Sequence, residues 1–163
     1  DQILEAAEAA GAVGVRRPED ISGDLASSES AWLHALEHLD GKRGPFGRVV
    51  ALQATSPIRE PGDIEQALAT FEREELDSLL SVCEVEDYFN WRIGANGPEP
   101  INYDFRNRRM RQQIEKRYLE NGSFYVLIPS LLREQNNRLG GKIGMHSRRS
   151  RSSRGFAQQM RRS

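Results

Sequence analysis

The chain has 163 residues, 37% of them apolar, with 23 basic and 24 acidic side chains and a formal net charge of −1. That is enough apolar content for one core and too much for a disordered chain. No apolar run approaches the length of a membrane span, no secretory-type stretch opens the chain, and a lone cysteine, Cys83, cannot form an internal disulfide. The expected setting is therefore a reducing, cytoplasmic one. The charge is unevenly spread. Residues 147–163 carry six arginines and no acid, which leaves 17 basic against 24 acidic side chains, net −7, in the other 146 residues.

In chain order, residues 1–10 read as a helix with Ile3, Leu4 and Ala7 on one face and Gly11 as its stop. Ala12–Val15 reads as a short strand closed by Arg17-Pro18. Ser27 or Ser28 caps a second helix, about 29–39, whose Trp32, Leu33, Leu36 and Leu39 share a side. His34 and His38 have the spacing of two metal ligands, but they project away from that stripe with no third ligand nearby, so they read as exposed histidines. Residues 40–47 read as loop. Val49–Leu52 is an uninterrupted apolar run, typical of a strand covered on both faces in a parallel sheet. Gln53 to Arg59 would follow at its carboxyl end, where open α/β sheets bind ligands.

Pro61 and Asp63 open a third helix with Ile64, Ala67, Leu68 and Phe71 inward, and Ser78–Val85 is the next strand. Cys83 reads there as a buried thiol. The strand–helix–strand rhythm predicts an α/β layered domain with a largely parallel sheet. It breaks at Asp87, where Tyr88–Ile93 reads as a strand and 94–100 as a turn. An excursion of that length in a compact domain is usually functional. Asn121-Gly122 reads as a turn opening a strand, Ser123–Ile128, followed by a short helix at Leu131–Glu134 and an apolar piece at Ile143–Met145. Residues 147–163 lack periodicity and are expected to be disordered.

One stretch stands apart. Arg106, Arg108, Arg109, Arg111, Lys116 and Arg117 lie among Tyr103, Phe105, Tyr118, Phe124 and Tyr125. Like charges so dense call for an anion or for carboxylates, and guanidinium forks match two oxygens at once. Within it, Arg111-Gln112 and then Tyr118-Leu119-Glu120-Asn121-Gly122-Ser123-Phe124-Tyr125 resemble the signature of the CMP-N-acylneuraminate synthetases, the acylneuraminate cytidylyltransferases. Leu52–Arg59, Asp77–Val82, and Arg17-Pro18 with Ser22-Gly23-Asp24 and Ala26-Ser27-Ser28 are similar to three further blocks of that family, in its order. The resemblance covers about residues 1–145.

The resemblance implies a Rossmann-like nucleotidyltransferase layered fold and a cytidylyltransferase that joins CTP to a sialic-type 2-keto sugar acid, giving the CMP-sugar and pyrophosphate. It places Arg17, Ala26 and Ser28 at the nucleotide. Gln53, Arg111, Gln112, Asn121 and Tyr125 fall at the sugar, with Thr55, Ser56, Arg59 and Leu139 as further candidates. It implies a homodimer, with about 87–118 as a dimerisation and sugar-site excursion, and magnesium as the cofactor of the intact enzyme.

The departures are equally specific. Nothing here matches the family's opening strand and its Gly/Lys/Arg-rich phosphate loop, and Gly140-Gly141-Lys142 lacks the spacing to replace them. The family's metal-holding aspartates would fall in the Arg/Ser-rich tail, 146–163, which has no carboxylate. That switch of composition suggests a shifted reading frame or a splice to foreign sequence. The sequence alone thus predicts a fragment that does not turn over, with unpaired backbone where the first strand would lie and marginal stability. Two alternatives stand beside it: a non-catalytic homodimerising remnant, and an RNA binder acting through the arginine-rich tail, which the acidic body opposes.

Overall fold

The structure is a computed structural model that describes residues 2–86 and 88–147. The predicted disorder of the tail therefore concerns residues that lie, beyond Ser147, outside the described ones. The chain is a mixed α/β protein that divides into two compact units. The first comprises the residues up to Leu80 together with Gly122–His146, and the second is Ser81–Asn121.

Helix α1 is Gln2–Ala9, and Gly11 ends it at φ +85°, a conformation that costs glycine nothing. Residues 12–15 form no strand. The Ala12 amide instead donates to the Ala7 carbonyl of α1 at 3.0 Å. Helix α2, Ser28–Arg43, starts as predicted: the Ser27 hydroxyl accepts from the Ser30 amide at 3.1 Å. It runs past the predicted end and through Gly41. The real stop is Gly44, at φ +88°, followed by Pro45, and Lys42 and Arg43 suit the negative end of the helix dipole.

Strand β1 is Val49–Leu52, α3 is Asp63–Arg73 and β2 is Ser78–Val85. Cys83 is half-buried rather than buried, its thiol 3.7 Å from the Leu119 carbonyl. β3 (Trp91–Gly94) and β4 (Gly97–Pro100) form an antiparallel hairpin, so the predicted turn at 94–100 shrinks to Ala95-Asn96. β5 is Arg117–Leu127, α4 is Pro129–Gln135 and β6 is Ile143–Ser147.

The main sheet has the order β1-β5-β2-β6. β1 runs antiparallel to β5, with Val49 opposite Leu127 and Leu52 opposite Phe124, and among the described residues it is an edge strand. Its apolar run therefore does not mark a central parallel strand. The run is apolar because α2 and Phe46 cover one face and Val50 packs into the core on the other. Beside that edge an apolar recess opens, lined by Trp32, Leu36, Leu39, Phe46 and Ala51.

β5 builds both cores. Tyr125 and Leu127 face α2 and α4, joining Leu36, Ala51, Leu131 and Leu132. Phe124 and Val126 face α3, joining Ala67, Phe71, Leu76 and Leu79. The period-two alternation of a strand sends successive side chains to opposite faces, so helices must cover both. Leu132 is fully buried in the first core. Leu132→Ala should cost about 2–5 kcal/mol in urea unfolding, and a loss under about 0.5 kcal/mol would contradict this packing.

Candidate functional site

Within the first unit, residues far apart in sequence converge at the end of β1. Gln53 follows the strand directly. With its amide oriented so that both groups are satisfied, Nε2 donates to the Gly122 carbonyl at 3.1 Å and Oε1 accepts from Arg138 Nη1 at 3.1 Å. Arg59, six residues on, donates from Nη2 to the Ser123 carbonyl at 2.7 Å. Gly122 lies inside β5 at φ +64°, and a Cβ there would collide with the Gln53 amide. The predicted Asn121-Gly122 turn is therefore a local distortion in a continuous strand. Glycine is required both by the backbone and by the side chain lying against it.

Arg138 is the residue that the sequence did not single out. Its Nε donates to Glu29 Oε1 at 2.5 Å, and its guanidinium carbon lies 4.9 Å from the ring centroids of both Trp32 and Tyr125. Both partners of the pair are largely buried, at 20% and 13% side-chain exposure. The hydrogen bond from Arg138 holds the Glu29 carboxyl below its ordinary range against the opposing effect of burial, and Glu29 in turn raises Arg138. Tyr125 is 2% exposed, so its ring supports this cluster from within the core. Leu139 also packs toward that core.

The other candidates of this unit are more open. Arg17 is exposed in the extended segment before Pro18. Ala26 is half-buried and donates to the Gly23 carbonyl at 2.9 Å, and Ser28 is the first residue of α2. Thr55 and Ser56 lie in the turn after β1, where the Ser56 amide donates to the Gln53 carbonyl at 3.2 Å. His34 meets the Arg16 carbonyl at 3.2 Å, and His38 meets Lys42 at 2.8 Å.

The second unit holds the arginine-rich stretch, which is not a helical face. Arg111–Gln113 is one 3-10 turn and the rest is irregular up to β5. Arg111 pairs with Glu86 and lies over the Tyr88 ring, while Gln112 is exposed beside it. Arg108 stacks on Phe89 at 3.9 Å, Arg106 on Phe105 at 4.8 Å, and Lys116 meets Glu84 at 3.1 Å. The chain's own carboxylates and ring faces thus offset much of the charge. Asn121 accepts from the Ser81 hydroxyl at 2.7 Å.

Magnesium, which the resemblance implies, finds no fitting ligand set here. Among the described residues no three His, Cys, Asp or Glu side chains gather where they could hold a metal ion. No described helix is long and apolar enough to cross a membrane.

No family model matches the chain. Comparison with curated proteins nevertheless identifies a class: the chain is homologous to sugar-acid cytidylyltransferases and so is related to nucleotidyltransferases. It is 30% identical over 130 residues to an N-acylneuraminate cytidylyltransferase of Oncorhynchus mykiss, a match covering 77% of this chain and 29% of the relative. Similarity to the N-acylneuraminate cytidylyltransferase A of Danio rerio is 30% identity over 146 residues, 87% of this chain and 33% of the relative. A pseudaminic acid cytidylyltransferase of Campylobacter jejuni is 27% identical over 128 residues, 77% and 55% of the two chains. The chain spans about a third of the length of the two fish proteins. The resemblance read from the motif blocks is borne out.

The Glu29–Arg138 pair gives this site a pH signature. A depressed carboxyl pKa contributes stability that is complete above the group's ordinary value of 4.5 and is lost as pH falls through the lower native value. In urea unfolding below that pH, Glu29→Gln should lose stability less steeply than the parent chain. Equal slopes would show that the pair contributes nothing.

Proposed function

We propose that this chain is part of a cytidylyltransferase of Rossmann-like fold that activates a nonulosonic acid with CTP. The sugar's anomeric hydroxyl attacks the α-phosphorus of CTP and gives up its proton to water, the bond from that phosphorus to the oxygen bridging the β-phosphate breaks, and pyrophosphate leaves with the electron pair. One observation carries the reading. Two family-like blocks about 65 residues apart, Leu52–Arg59 and Tyr118–Tyr125, are bonded to each other through Gln53–Gly122 and Arg59–Ser123.

In this reading Gln53 hydrogen-bonds the sugar, with the Tyr125 ring in the core of the same unit, and Asn121 is a further sugar-binding residue. Arg111 exchanges Glu86 for the substrate carboxylate. The exchange costs little because both partners of the present pair are more than half exposed. Gln112, Thr55 and Ser56 flank the sugar, and Leu139 stands behind the acyl substituent. Arg17, Ala26 and Ser28 hold the cytidine. Positioning of this kind lowers the barrier by fixing the attacking oxygen against the phosphorus. Among the described residues no carboxylate set is gathered, and in this reading the chain binds without turning over.

Calorimetry of the chain with N-acetylneuraminate in the presence of CTP tests this. Heat of binding is expected without pyrophosphate release. Arg111→Ala should weaken the sugar by about tenfold or more, the worth of a charge-assisted pair. Absence of sugar binding at millimolar concentration would refute the assignment.

A specific surface favours self-association through the second unit. Ile93, Ile101 and Met110 are 83%, 58% and 60% exposed there, beside the half-exposed rings of Trp91 and Phe105. Apolar surface of this kind marks contact with another protein. The chain should sediment as a dimer and Ile93→Glu should shift it toward monomer; a monomer at micromolar concentration would exclude this arm as a dimer contact.

A further inference from the structure

We infer that Arg138 is a positioning residue whose task is to fix the Gln53 amide, so that Gln53 meets an oxygen-rich ligand with one N–H and one lone pair already aimed. The inference rests on the placement of Gln53 at the sugar proposed above. A primary amide has two donors and an oxygen with two lone pairs. Gly122 takes one donor and Arg138 takes one lone pair, which leaves one of each. Gln53 is half-buried, so part of it stays open to solvent. A free glutamine side chain rotates and its amide can turn over, so it presents donor and acceptor in either order. The charged donor removes that ambiguity, because an arginine can face only the oxygen. It also polarises the amide and strengthens the remaining N–H as a donor.

Arg138 is itself held unusually well for a loop residue. Glu29 near the start of α2 takes its Nε, and the Trp32 and Tyr125 rings both lie 4.9 Å from its guanidinium. One side chain thereby ties the first turn of α2, the segment before β6, the end of β1 and, through Gly122, the distorted point of β5. The planar fork is what makes this possible. An ammonium at the same place could keep Glu29, but it has no second rigid arm for Gln53. Arg138 touches no reacting atom in this scheme and acts only through Gln53.

The test has a ligand-free arm and a ligand arm. In the first, the side-chain amide of Gln53 is observed by nitrogen-15 relaxation in the 163-residue chain, its signal assigned by loss in Gln53→Ala. Gln53 should be nearly as ordered as rigid backbone, with an order parameter near about 0.8, and should fall below about 0.6 in Arg138→Lys. The lysine variant keeps a cation opposite Glu29, and unchanged amide shifts at Val126 and Leu127 confirm that the core is intact. Equal order of Gln53 in parent and variant overturns the inference.

In the second arm N-acetylneuraminate is titrated calorimetrically. Arg138→Lys and Gln53→Ala should each weaken binding about tenfold, and the double variant no further, because both act through one amide. Additive losses overturn the inference. If the parent chain binds no N-acetylneuraminate while Gln53 still depends on Arg138 for its order, the sugar-site reading fails and the positioning contact stands.

Discussion

The structure depends on the burial of β5 on both faces. A strand exposed on one side needs only one layer of cover. Here Phe124 and Val126 go to α3 while Tyr125 and Leu127 go to α2 and α4, all four of them nearly inaccessible. Neither helical layer can therefore be removed without exposing aromatic or branched side chains, each worth about 1.5–3 kcal/mol of burial. The same strand then carries its buried register straight into Gly122, where the chain stops being core and begins to be site. The geometry of the candidate site is thus set by the packing of its nearest core residues.

The transition is abrupt and it is polar. From Ser123 onward β5 is buried; from Tyr118 to Glu120 it is exposed. Between them, Asn121 is held by Ser81, and the backbone carbonyls of Gly122 and Ser123 are taken by Gln53 and Arg59. The bonds from Gln53 and Arg59 tie down backbone carbonyls of β5, and the bond from Ser81 holds a side chain beside them. Function and fold draw on the same residues, so the polar groups proposed for ligand recognition also hold the strand in place.

Much of this was legible in the sequence, and the pattern of success has physical causes. Ser78–Val85 was read to the residue because an apolar run bounded by charge and turn leaves few choices. The inward face of α3 followed from its spacing, since Ile64, Ala67, Leu68 and Phe71 can share a side only in a helix. The first half of β5 was missed because Arg117 to Asn121 has no apolar alternation, and because Asn-Gly usually marks a turn. What keeps it extended is pairing with a neighbour, which local sequence does not reveal. α2 outran its predicted end because Asp40-Gly41 resembles a stop, while the residue that adopts the positive φ is Gly44. Arg138 gave no signal at all. It sits in an Asn-Asn-Arg-Leu-Gly-Gly loop, and its importance comes from Glu29, 109 positions away.

The two tryptophans fall one to each compact unit: Trp32 lies against Arg138 and Tyr125, and Trp91 against Tyr103 and Phe105. The chain therefore carries a separate native fluorophore for each half of its architecture. Replacing either indole by phenylalanine turns emission into a readout of the other unit alone. The melting of the layered core and that of the arginine-rich arm can then be followed independently, without attached dyes.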